Sequence, residues 1–575
     1  MLSELIKSIS KAANLDSEQV KNLLVRTQDI NHGDYALPCF TLAKSLKLAP
    51  NICAQNLKEK ITLPQEFEKI EIIGPYLNFF LKRENFTQKI IKEILLNEGC
   101  ISKKPANGRK LLLEYSSPNI AKNLHVGHMR TTLIGLSLER IFKHLGYDVT
   151  TVNHLGDWGV QFGFIWAATQ LWGKPKEASI DSLVELYVKA VKLDKEQEES
   201  NLKDEDLSKP RVSLMARDYF IKLEKNDREA LEFWQWCLDL SLREFKETYQ
   251  RIGIEFDNYT GESFYHDQIP SIDEAIRKSG ILEESRGALG VDLGKELGFV
   301  RIFADDGRSL YITRDIAAAL YREKTYKPEK IIYVVAAQQS LHFKQLVEVL
   351  KRMDEKVAEK IVHVAFGFVP GMKTREGTAI LFKDFLSEAS SRALKTYQEQ
   401  VSKRPEDLNE AEIAEKVAVG ATYFYFLKHS NLKDFNFSWE SALAFQGDSG
   451  PYLQYALARI YSIEANAVKS GLNSEAKDLL TFDANLLKEK EAYQIVSLIS
   501  RFGETVEKAA EQYEPSVIAV YALELAKNLS KAYNSLRIVG EEKNLAKARL
   551  ALFISARKVL ESALYLVGVP AVKRM

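Results

Sequence analysis

Two histidines separated by a valine and a glycine lie within the stretch SSPNIAKNLHVGHMR, residues 116–130. His125 and His128 are three residues apart, so on a helix they share one side of the first turn. Gly127 removes a side chain where a ligand could approach the backbone, and a helix N-terminus offers free N–H groups and about half a positive charge to an anion. These residues predict a phosphate site. A purely structural turn and a metal site that lacks a nearby third ligand are the alternatives.

The segments around this stretch predict a parallel sheet. LLLEYSS is short, bulky and continuous, as in a strand buried on both faces. MRTTLIGLSLERIFKHLGYD has apolar residues at helical spacing, with Gly146 at the expected C-terminal cap, and DVTTVNHLGD has the pattern of another strand. Strand, helix and strand form a βαβ unit, which places the histidine loop at the carboxyl edge of the sheet.

The rest of the chain predicts three regions. EKIIYVVAAQ, LHFKQLVEVLKRM and KIVHVAFGFV indicate a second strand–helix–strand unit, and strand signals nearly vanish from about Phe385 onward. We expect a small α+β N-terminal domain over residues 1–103 and a Rossmann-like, doubly wound α/β domain over 104–390, with a helical insertion at about 170–300. An all-α bundle is expected over 391–575.

Charge and cysteine use exclude several classes of protein. Lys plus Arg and Asp plus Glu number 79 each, so no overall positive field draws the chain onto nucleic acid or a membrane, and a polyanion must bind to local patches. The polar interruptions in MLSELIKSISKAANLDSEQV argue against a secretory signal or a membrane span, so we expect a cytoplasmic protein that does not enter a membrane. The cysteines form no C-x-x-C pair, which predicts reduced thiols rather than a disulfide framework or a structural zinc site: Cys39, Cys53, Cys100 and Cys237.

Several motifs in order resemble the arginyl-tRNA synthetase family of class I aminoacyl-tRNA synthetases. HVGH matches the class motif usually written HIGH, and NHLGDWGVQFG, YITRDIAAAL, AAQQSLHFKQL, GMKTREGTAILF and GPYLQYALARI follow, up to the closing RM. HGDYALP in the N-terminal region is similar to the family's additional domain, which binds the tRNA core. The resemblance implies ATP-dependent ligation of L-arginine to tRNA(Arg) through an arginyl-adenylate, with transfer to the 2′-hydroxyl of the terminal adenosine. Mg²⁺ is expected from the chemistry of ATP, although no dedicated ligand cluster is visible in the sequence.

By this resemblance, ATP binds at the start of the helix. His125 and His128 are expected to contact the triphosphate and to act in catalysis, while Gly127 leaves room for the adenosine. His342 and Met372 are further expected to bind ATP. Neither reaction step needs a covalent nucleophile, because alignment and positive charge around an anionic transition state are sufficient.

The second class signature, a lysine loop usually written KMSKS, departs from its pattern in this chain. The matching stretch is GMKTREG, in which the class lysines fall on Gly371 and Thr374. We expect the positive charge to come from Lys373, Arg375 and, just before the histidines, Lys122. A reading of the loop charges as ordinary solvated surface stays open.

Selection of arginine requires carboxylates placed for a fork of five donors. Glu114 ends the first predicted strand, and Asp315 lies one helical turn after Tyr311. The family resemblance assigns the bound arginine to these three residues together with Asn119 and Gln339, and weakly associates His154 with the nucleotide.

The helical region resembles the family's anticodon-binding domain. Unpaired bases are usually held by stacking on aromatic rings, with cations on the phosphates, although tyrosines at helical spacing are as often simply core. Aromatic residues beside Arg459, Lys531 and Arg537, together with the C-terminal residue, are expected to contact tRNA: Tyr452, Tyr455, Tyr533 and Met575. Family habit favours a monomer.

Three other functions compete with this interpretation. A class I synthetase for another amino acid would not call for Glu114 and Asp315, and a small adenylyltransferase would not need the long helical tail. An RNA-binding relative that has lost activity predicts damage in the HVGH motif, which is intact.

Overall fold

The computed structural model describes residues 2–27, 29–200, 210–285, 288–303, 310–370, 380–400 and 409–575. The N-terminal region is a small α+β module, as predicted. Its elements are α1 (Leu2–Ala13), α2 (Ser17–Leu23), β1 (Val25–Arg26), β2 (Tyr35–Pro38), α3 (Cys39–Leu46), α4 (Pro50–Lys60), β3 (Phe67–Ile73), β4 (Tyr76–Leu81) and α5 (Arg83–Leu96). The antiparallel sheet has the order β1-β2-β4-β3, and β3 and β4 form a hairpin across Gly74-Pro75.

The next region contains the predicted parallel sheet. The strands of the whole region are β5 (Lys110–Glu114), β6 (Asp148–Asn153), β7 (Asn258–Tyr259), β8 (Glu283–Ser285), β9 (Ala288–Asp292), β10 (Phe299–Arg301), β11 (Lys330–Ala336) and β12 (Ile361–Phe366). A five-stranded sheet has the order β12-β11-β5-β6-β7 and is parallel throughout. The carboxyl ends of β11, β5 and β6 therefore lie side by side, which is where open α/β sheets bind ligands.

Helices cover this sheet and form most of the insertion. They are α6 (Val126–His144), α7 (Gln161–Trp172), α8 (Ile180–Glu199), α9 (Val212–Glu224), α10 (Arg228–Arg251), α11 (Ile269–Lys278), α12 (Tyr311–Tyr326), α13 (Ser340–Met353), α14 (Glu355–Ala358) and α15 (Phe382–Gln400). Leu112, Val152 and Ile331, from three adjacent strands, are buried in one core with apolar residues of α12 and α13. This core fixes the strand ends relative to the helices that follow them.

The insertion is not purely helical, contrary to expectation. Strands β8, β9 and β10 form a separate three-stranded antiparallel sheet. Two of them are three residues long, so each is too short to give an alternating pattern in the sequence.

The C-terminal region is helical, as predicted. It comprises α16 (Glu410–Leu427), α17 (Trp439–Leu443), α18 (Gly450–Lys469), α19 (Ala476–Leu479), α20 (Lys490–Ile499), α21 (Phe502–Glu511), α22 (Ser516–Ser535) and α23 (Lys543–Leu566). Over the described ranges, no helix has both the length and the apolar content that crossing a membrane requires.

The chain divides into two compact units that do not follow the expected domain boundaries. One comprises Met1–Ile101, Arg459–Gly503 and Glu524–Leu560, and the other Ser102–Ala458, Glu504–Leu523 and Glu561–Met575. In the first unit, Tyr493 of α20 donates a hydrogen bond from its hydroxyl to Asp34 (2.5 Å), which ties C-terminal helices to the N-terminal module. The domain boundaries expected near residues 103 and 390 remain predictions.

Candidate functional site

The loop between β5 and α6 has a strained backbone. Ser116, Ser117 and Ala121 have positive φ angles of 71°, 49° and 55°, a conformation that costs a non-glycine residue roughly 1 kcal/mol or more. Hydrogen bonds hold the strain in place: the Ser116 N–H donates to Thr131 Oγ1 (3.1 Å) and the Ala121 N–H to Ser241 Oγ (2.9 Å). A strained loop fixed at the carboxyl edge of a sheet indicates a functional constraint.

Both histidines cap the first turn of α6. Nδ1 of His125, the N-cap residue, accepts from the Gly127 N–H (3.1 Å), and Nδ1 of His128 accepts from the His125 N–H (3.1 Å). The ring centroids lie 4.0 Å apart. A neutral imidazole that accepts at Nδ1 carries its proton at Nε2, so each ring has an Nε2–H donor on the side away from the helix backbone.

Gly127 is needed to accommodate the neighbouring imidazole. A Cβ at this position would lie 2.7 Å from Cε1 and 2.8 Å from Nδ1 of His125. The glycine therefore permits the His125 ring to fold over the helix end.

Burial keeps both imidazoles neutral. It lowers the pKa of His128 to about 3, with a smaller contribution from His125, and it also lowers the pKa of His125. At neutral pH the pair therefore supplies oriented donors without full positive charge.

The histidines line a cavity of about 510 Å³. Its walls come from the β5–α6 loop, the first turns of α6, the end of β11 and the residues after β12: Ser116, Ser117, His125, Val126, Gly127, His128, Arg130, Thr131, Val334, Val335, Ala336, Gln338, Gln339, Phe366, Gly367, Phe368 and Val369. The walls are mostly apolar, and their polar groups cluster at the N-terminus of α6. This combination suits a flat, apolar ring joined to an anion.

Arg130 braces one wall of the cavity. Its buried guanidinium donates to the carbonyl oxygens of Gly367 (2.9 Å), Ser430 (2.9 Å), Asn431 (2.7 Å) and Lys433 (2.8 Å). Burial lowers its pKa to about 10, so it remains charged at neutral pH. One side chain thus joins α6 to the chain after β12 and to the loop after α16.

Two acidic side chains are connected to the cavity wall, Glu114 through the adjoining chain and Asp315 through its partner His342. Glu114 is two residues before Ser116, and its carboxylate Oε2 lies 2.6 Å from Nη1 of Arg322. The Asp315 carboxylate accepts a hydrogen bond from Nε2 of His342 (2.7 Å), and His342 is three residues after Gln339. A helix N-terminus suited to an anion, together with carboxylates on β5 and on the neighbouring helix α12, suits a substrate pair in which one partner is a polyphosphate and the other a cation.

Family comparisons agree with this geometry. Residues 90–439 match the family described as tRNA synthetases class I (R), catalytic domain, residues 453–575 match the DALR anticodon binding domain, and residues 1–81 match the arginyl tRNA synthetase N terminal domain. The chain belongs to the arginyl-tRNA synthetase family. The family and the fold class expected from the sequence are confirmed.

Relatives of this synthetase family match along the full chain. The arginine–tRNA ligase of Halothermothrix orenii is 39% identical over 100% of this chain and 99% of its own, and that of Clostridium perfringens is 38% identical over 99% and 98%. Among solved structures, Thermus thermophilus arginyl-tRNA synthetase superposes with a TM-score of 0.81 at 26% identity, covering 100% of both chains. The Plasmodium falciparum arginyl-tRNA synthetase shares the fold, with a TM-score of 0.82 at 23% identity over 100% of this chain and 98% of its own.

The residues expected from the synthetase resemblance fall into four groups. His125, Gly127, His128 and Gln339 line the cavity. Asn119 and Lys122 are exposed on the preceding loop, and Glu114, Asp315 and His342 form the pairs described above. Met372, Lys373 and Arg375 lie outside the described residues, as does the side chain of Tyr311, the first residue of α12.

The expected tRNA contacts are divided between the two compact units. Tyr452 and Tyr455 lie in α18 within the larger unit, where Tyr455 is 40% exposed. Tyr533, in the other unit, is 41% exposed, and the Arg459 guanidinium lies 3.8 Å from its ring centroid. Met575 packs against an apolar cluster of α15 and α16.

Sequence reasoning missed Arg130 and Arg322. Both are arginines on otherwise apolar helix faces, and a charged residue at such a position is rarely fully buried unless it has partners. This pattern indicates that each arginine has buried partners, but the sequence does not identify them because they lie in distant segments of the chain.

Proposed function

We propose that this chain ligates L-arginine to tRNA(Arg) in two steps. Arginine first reacts with ATP to give an arginyl-adenylate and pyrophosphate, and the arginyl group then passes to the 2′-hydroxyl of the terminal adenosine. The supporting observation is that two kinds of group meet at one edge of the sheet. Nε2–H donors lie at the start of α6, and Oε1 of Glu114 lies 3.5 Å from the hydroxyl of Ser117 in the cavity wall.

For ATP, the proposal assigns the triphosphate to the N-terminus of α6. His125 and His128 donate hydrogen bonds to phosphate oxygens, and the strength of such bonds grows as negative charge develops. Because both imidazoles are neutral and backbone carbonyls engage the guanidinium of Arg130, the proposal assigns the positive charge on the phosphates to Lys122, Lys373 and Arg375.

Class I synthetase membership implies ATP as a substrate, and we propose that Mg²⁺ accompanies it. The residues lining the cavity include no carboxylate, and no cluster of three acidic, histidine or cysteine ligands occurs where side chains are described. This fits a magnesium ion held mainly by phosphate oxygens and water. The chain's own contribution is to position the phosphates.

For arginine, the proposal assigns the guanidinium to Glu114 and Asp315, with Asn119, Tyr311 and Gln339 around the rest of the amino acid. The planar fork of a guanidinium can make paired hydrogen bonds to two carboxylates, whereas an ammonium donates from a single nitrogen and lacks that paired geometry. Glu114 is adjacent to the strained loop, so its position is fixed by the same backbone that shapes the ATP cavity.

For tRNA, the proposal assigns anticodon contacts to Tyr452, Tyr455, Tyr533 and Met575 in the helical region, and core contacts to the N-terminal module. The stacking of Arg459 on Tyr533 gives the combination of cation and ring that single-stranded bases favour. Family resemblance further supports a cytoplasmic monomer.

Aminoacylation of total tRNA with each standard amino acid in turn tests the proposal. We expect charging with arginine alone. His128→Ala and Asp315→Ala should each reduce it by roughly 100-fold or more, while Asp239→Ala, an exposed residue of α10, should leave it unchanged. Charging with another amino acid, or undiminished charging by both site variants, contradicts the assignment.

A further inference from the structure

Arg322 lies against three adjacent strands, at the end of β5, in the middle of β11 and just after β6. It lies two helical turns after Asp315 on α12, and its side chain is 1% exposed. Its guanidinium contacts Glu114 at the end of β5, lies 5.3 Å from the ring centroid of Tyr333 in β11, and approaches Nδ1 of His154, just after β6, at 3.5 Å. Tyr333 and Glu114 are also direct partners in the sheet.

This ion pair is almost completely removed from solvent. The Glu114 side chain is 7% exposed, and a carboxylate buried to this extent without a partner would take up a proton. Arg322 provides the opposite charge at 2.6 Å. Burial alone would lower the pKa of the Arg322 guanidinium, but the Glu114 carboxylate raises it well above its usual value.

The pair also determines which oxygen of Glu114 can bind a ligand. Arg322 engages Oε2, whereas the nearest hydroxyl to Oε1, that of Ser117, is 3.5 Å away and makes at most a weak hydrogen bond. In the same way, Nε2 of His342 engages Oδ2 of Asp315 (2.7 Å). Each acidic residue therefore has one strongly engaged oxygen and one that remains able to accept.

We propose that Arg322 is a positioning residue that keeps Glu114 ionised and leaves only Oε1 to the guanidinium of the substrate. This inference rests on the proposed function. A ligand must then bring donors to two separate oxygens, one from Glu114 and one from Asp315. The donors of a planar guanidinium are spread over three nitrogens and can reach two such oxygens at once, whereas an ammonium presents its three donors from one nitrogen, so Arg322 contributes to selection of arginine without touching it.

The other titratable groups near Glu114 define what a pH experiment must control. They are Asp315 on α12, Tyr333 on β11, His154 after β6, Tyr265 beside His154, and the ion pair of Glu262 with Arg314. Of these, His154 donates its Nδ1–H to the Thr260 carbonyl (3.1 Å). Because His154 is present in every variant, the wild type controls for it.

Equilibrium dialysis of labelled L-arginine against the full-length protein tests the proposal without requiring catalysis. At pH 7, Arg322→Met should weaken binding on the order of 30-fold, because a protonated Glu114 no longer attracts the guanidinium. The affinity of Arg322→Met for arginine should rise as pH is raised, whereas the wild-type affinity changes little. Arg322→Lys retains a cation and should bind within about fivefold of wild type, without that pH dependence.

Arg549→Met is the matched control for loss of a buried arginine. Arg549 is also largely buried and pairs with Glu489 and Glu541, in the other compact unit. The Arg549→Met variant should be less stable than the wild type but should bind arginine with unchanged affinity. If Arg322→Met folds and binds arginine like wild type at every pH, the inference is wrong.

If Arg322→Met does not fold, Arg322→Lys decides the matter: complete loss of binding, or affinity that rises with pH, overturns the inference. Failure of the proposed function itself gives a different result, since the wild type would then not bind arginine at all.

Discussion

Replacing Gly127 by alanine should separate the stability of α6 from its function. The new Cβ would lie 2.7 Å from Cε1 of His125, so the imidazole must move and its cap on the Gly127 N–H is lost. Loss of a cap costs about 1 kcal/mol, and alanine in place of glycine returns up to about 1 kcal/mol of helix propensity. The free energy of unfolding should therefore change by less than about 1 kcal/mol.

Activity should respond very differently. On the proposed assignment, a displaced ring no longer aims its Nε2–H at the phosphates of ATP, and loss of one preorganised donor typically costs roughly 100-fold to 1,000-fold in rate. We expect a fall of that size in kcat/KM for ATP, measured by pyrophosphate exchange in the presence of tRNA and arginine. Thermal unfolding should show a nearly unchanged midpoint.

Two further variants make the test specific. Gly99→Ala has no heavy atom within 4 Å of the new Cβ and should be silent in both assays. In a His125→Ala background, Gly127→Ala should cost little more, because the collision no longer exists. Activity of Gly127→Ala within about threefold of wild type, or an equally large loss in the His125→Ala background, would refute the reasoning.

The other predictions concern pH, packing and tRNA. The pKa of His128, about 3 in the folded chain, lies below its unfolded value near 6.5, so its contribution to stability is complete above about pH 6.5 and is lost as pH falls toward 3. Replacement by asparagine should reduce the slope of stability against pH in that window by at most about 1.4 kcal/mol per unit, measured by urea unfolding. Arg130→Met removes a donor from four carbonyl groups, of which those of Ser430 and Asn431 still accept a backbone N–H, and should lower the unfolding free energy by about 2 kcal/mol or more, whereas Arg392→Met, an exposed arginine of α15, should not. Tyr455→Ala and Tyr533→Ala should raise KM for tRNA several-fold with KM for ATP unchanged in steady-state charging assays; an altered KM for ATP would contradict their assignment.

The sheet and its loop could be predicted because their signals are local. The run LLL in β5 has every side chain buried, and Gly146 adopts the positive φ (85°) that a helix C-terminal cap requires. The motif around His125 and His128 lies within a few residues, so its position relative to α6 followed from spacing alone. The fold class was therefore accessible from sequence.

The charged pairs of the site could not be predicted, because they join segments far apart in the chain. The sequence indicates that Glu114 ends a buried strand, but not that Arg322 meets it. Arg322 shares a helix face with Asp315, yet only the packing of α12 across three strands shows which carboxylate it reaches. The same limit applies to Arg130, whose four acceptors are backbone carbonyls that no side-chain pattern reveals.

The structural and functional explanations of the two histidines do not exclude each other. Nδ1 of each ring accepts a backbone N–H, which fixes the tautomer and directs Nε2–H away from the helix backbone. Burial then keeps both rings uncharged, so the cradle is built from dipoles and not from cations. Polyphosphate chemistry still needs positive charge. On the proposed function, this positive charge comes from Lys122 and from residues between β12 and α15. Residues Ile380 to Phe382, just after that stretch, pair with the backbone of Leu124 to Val126.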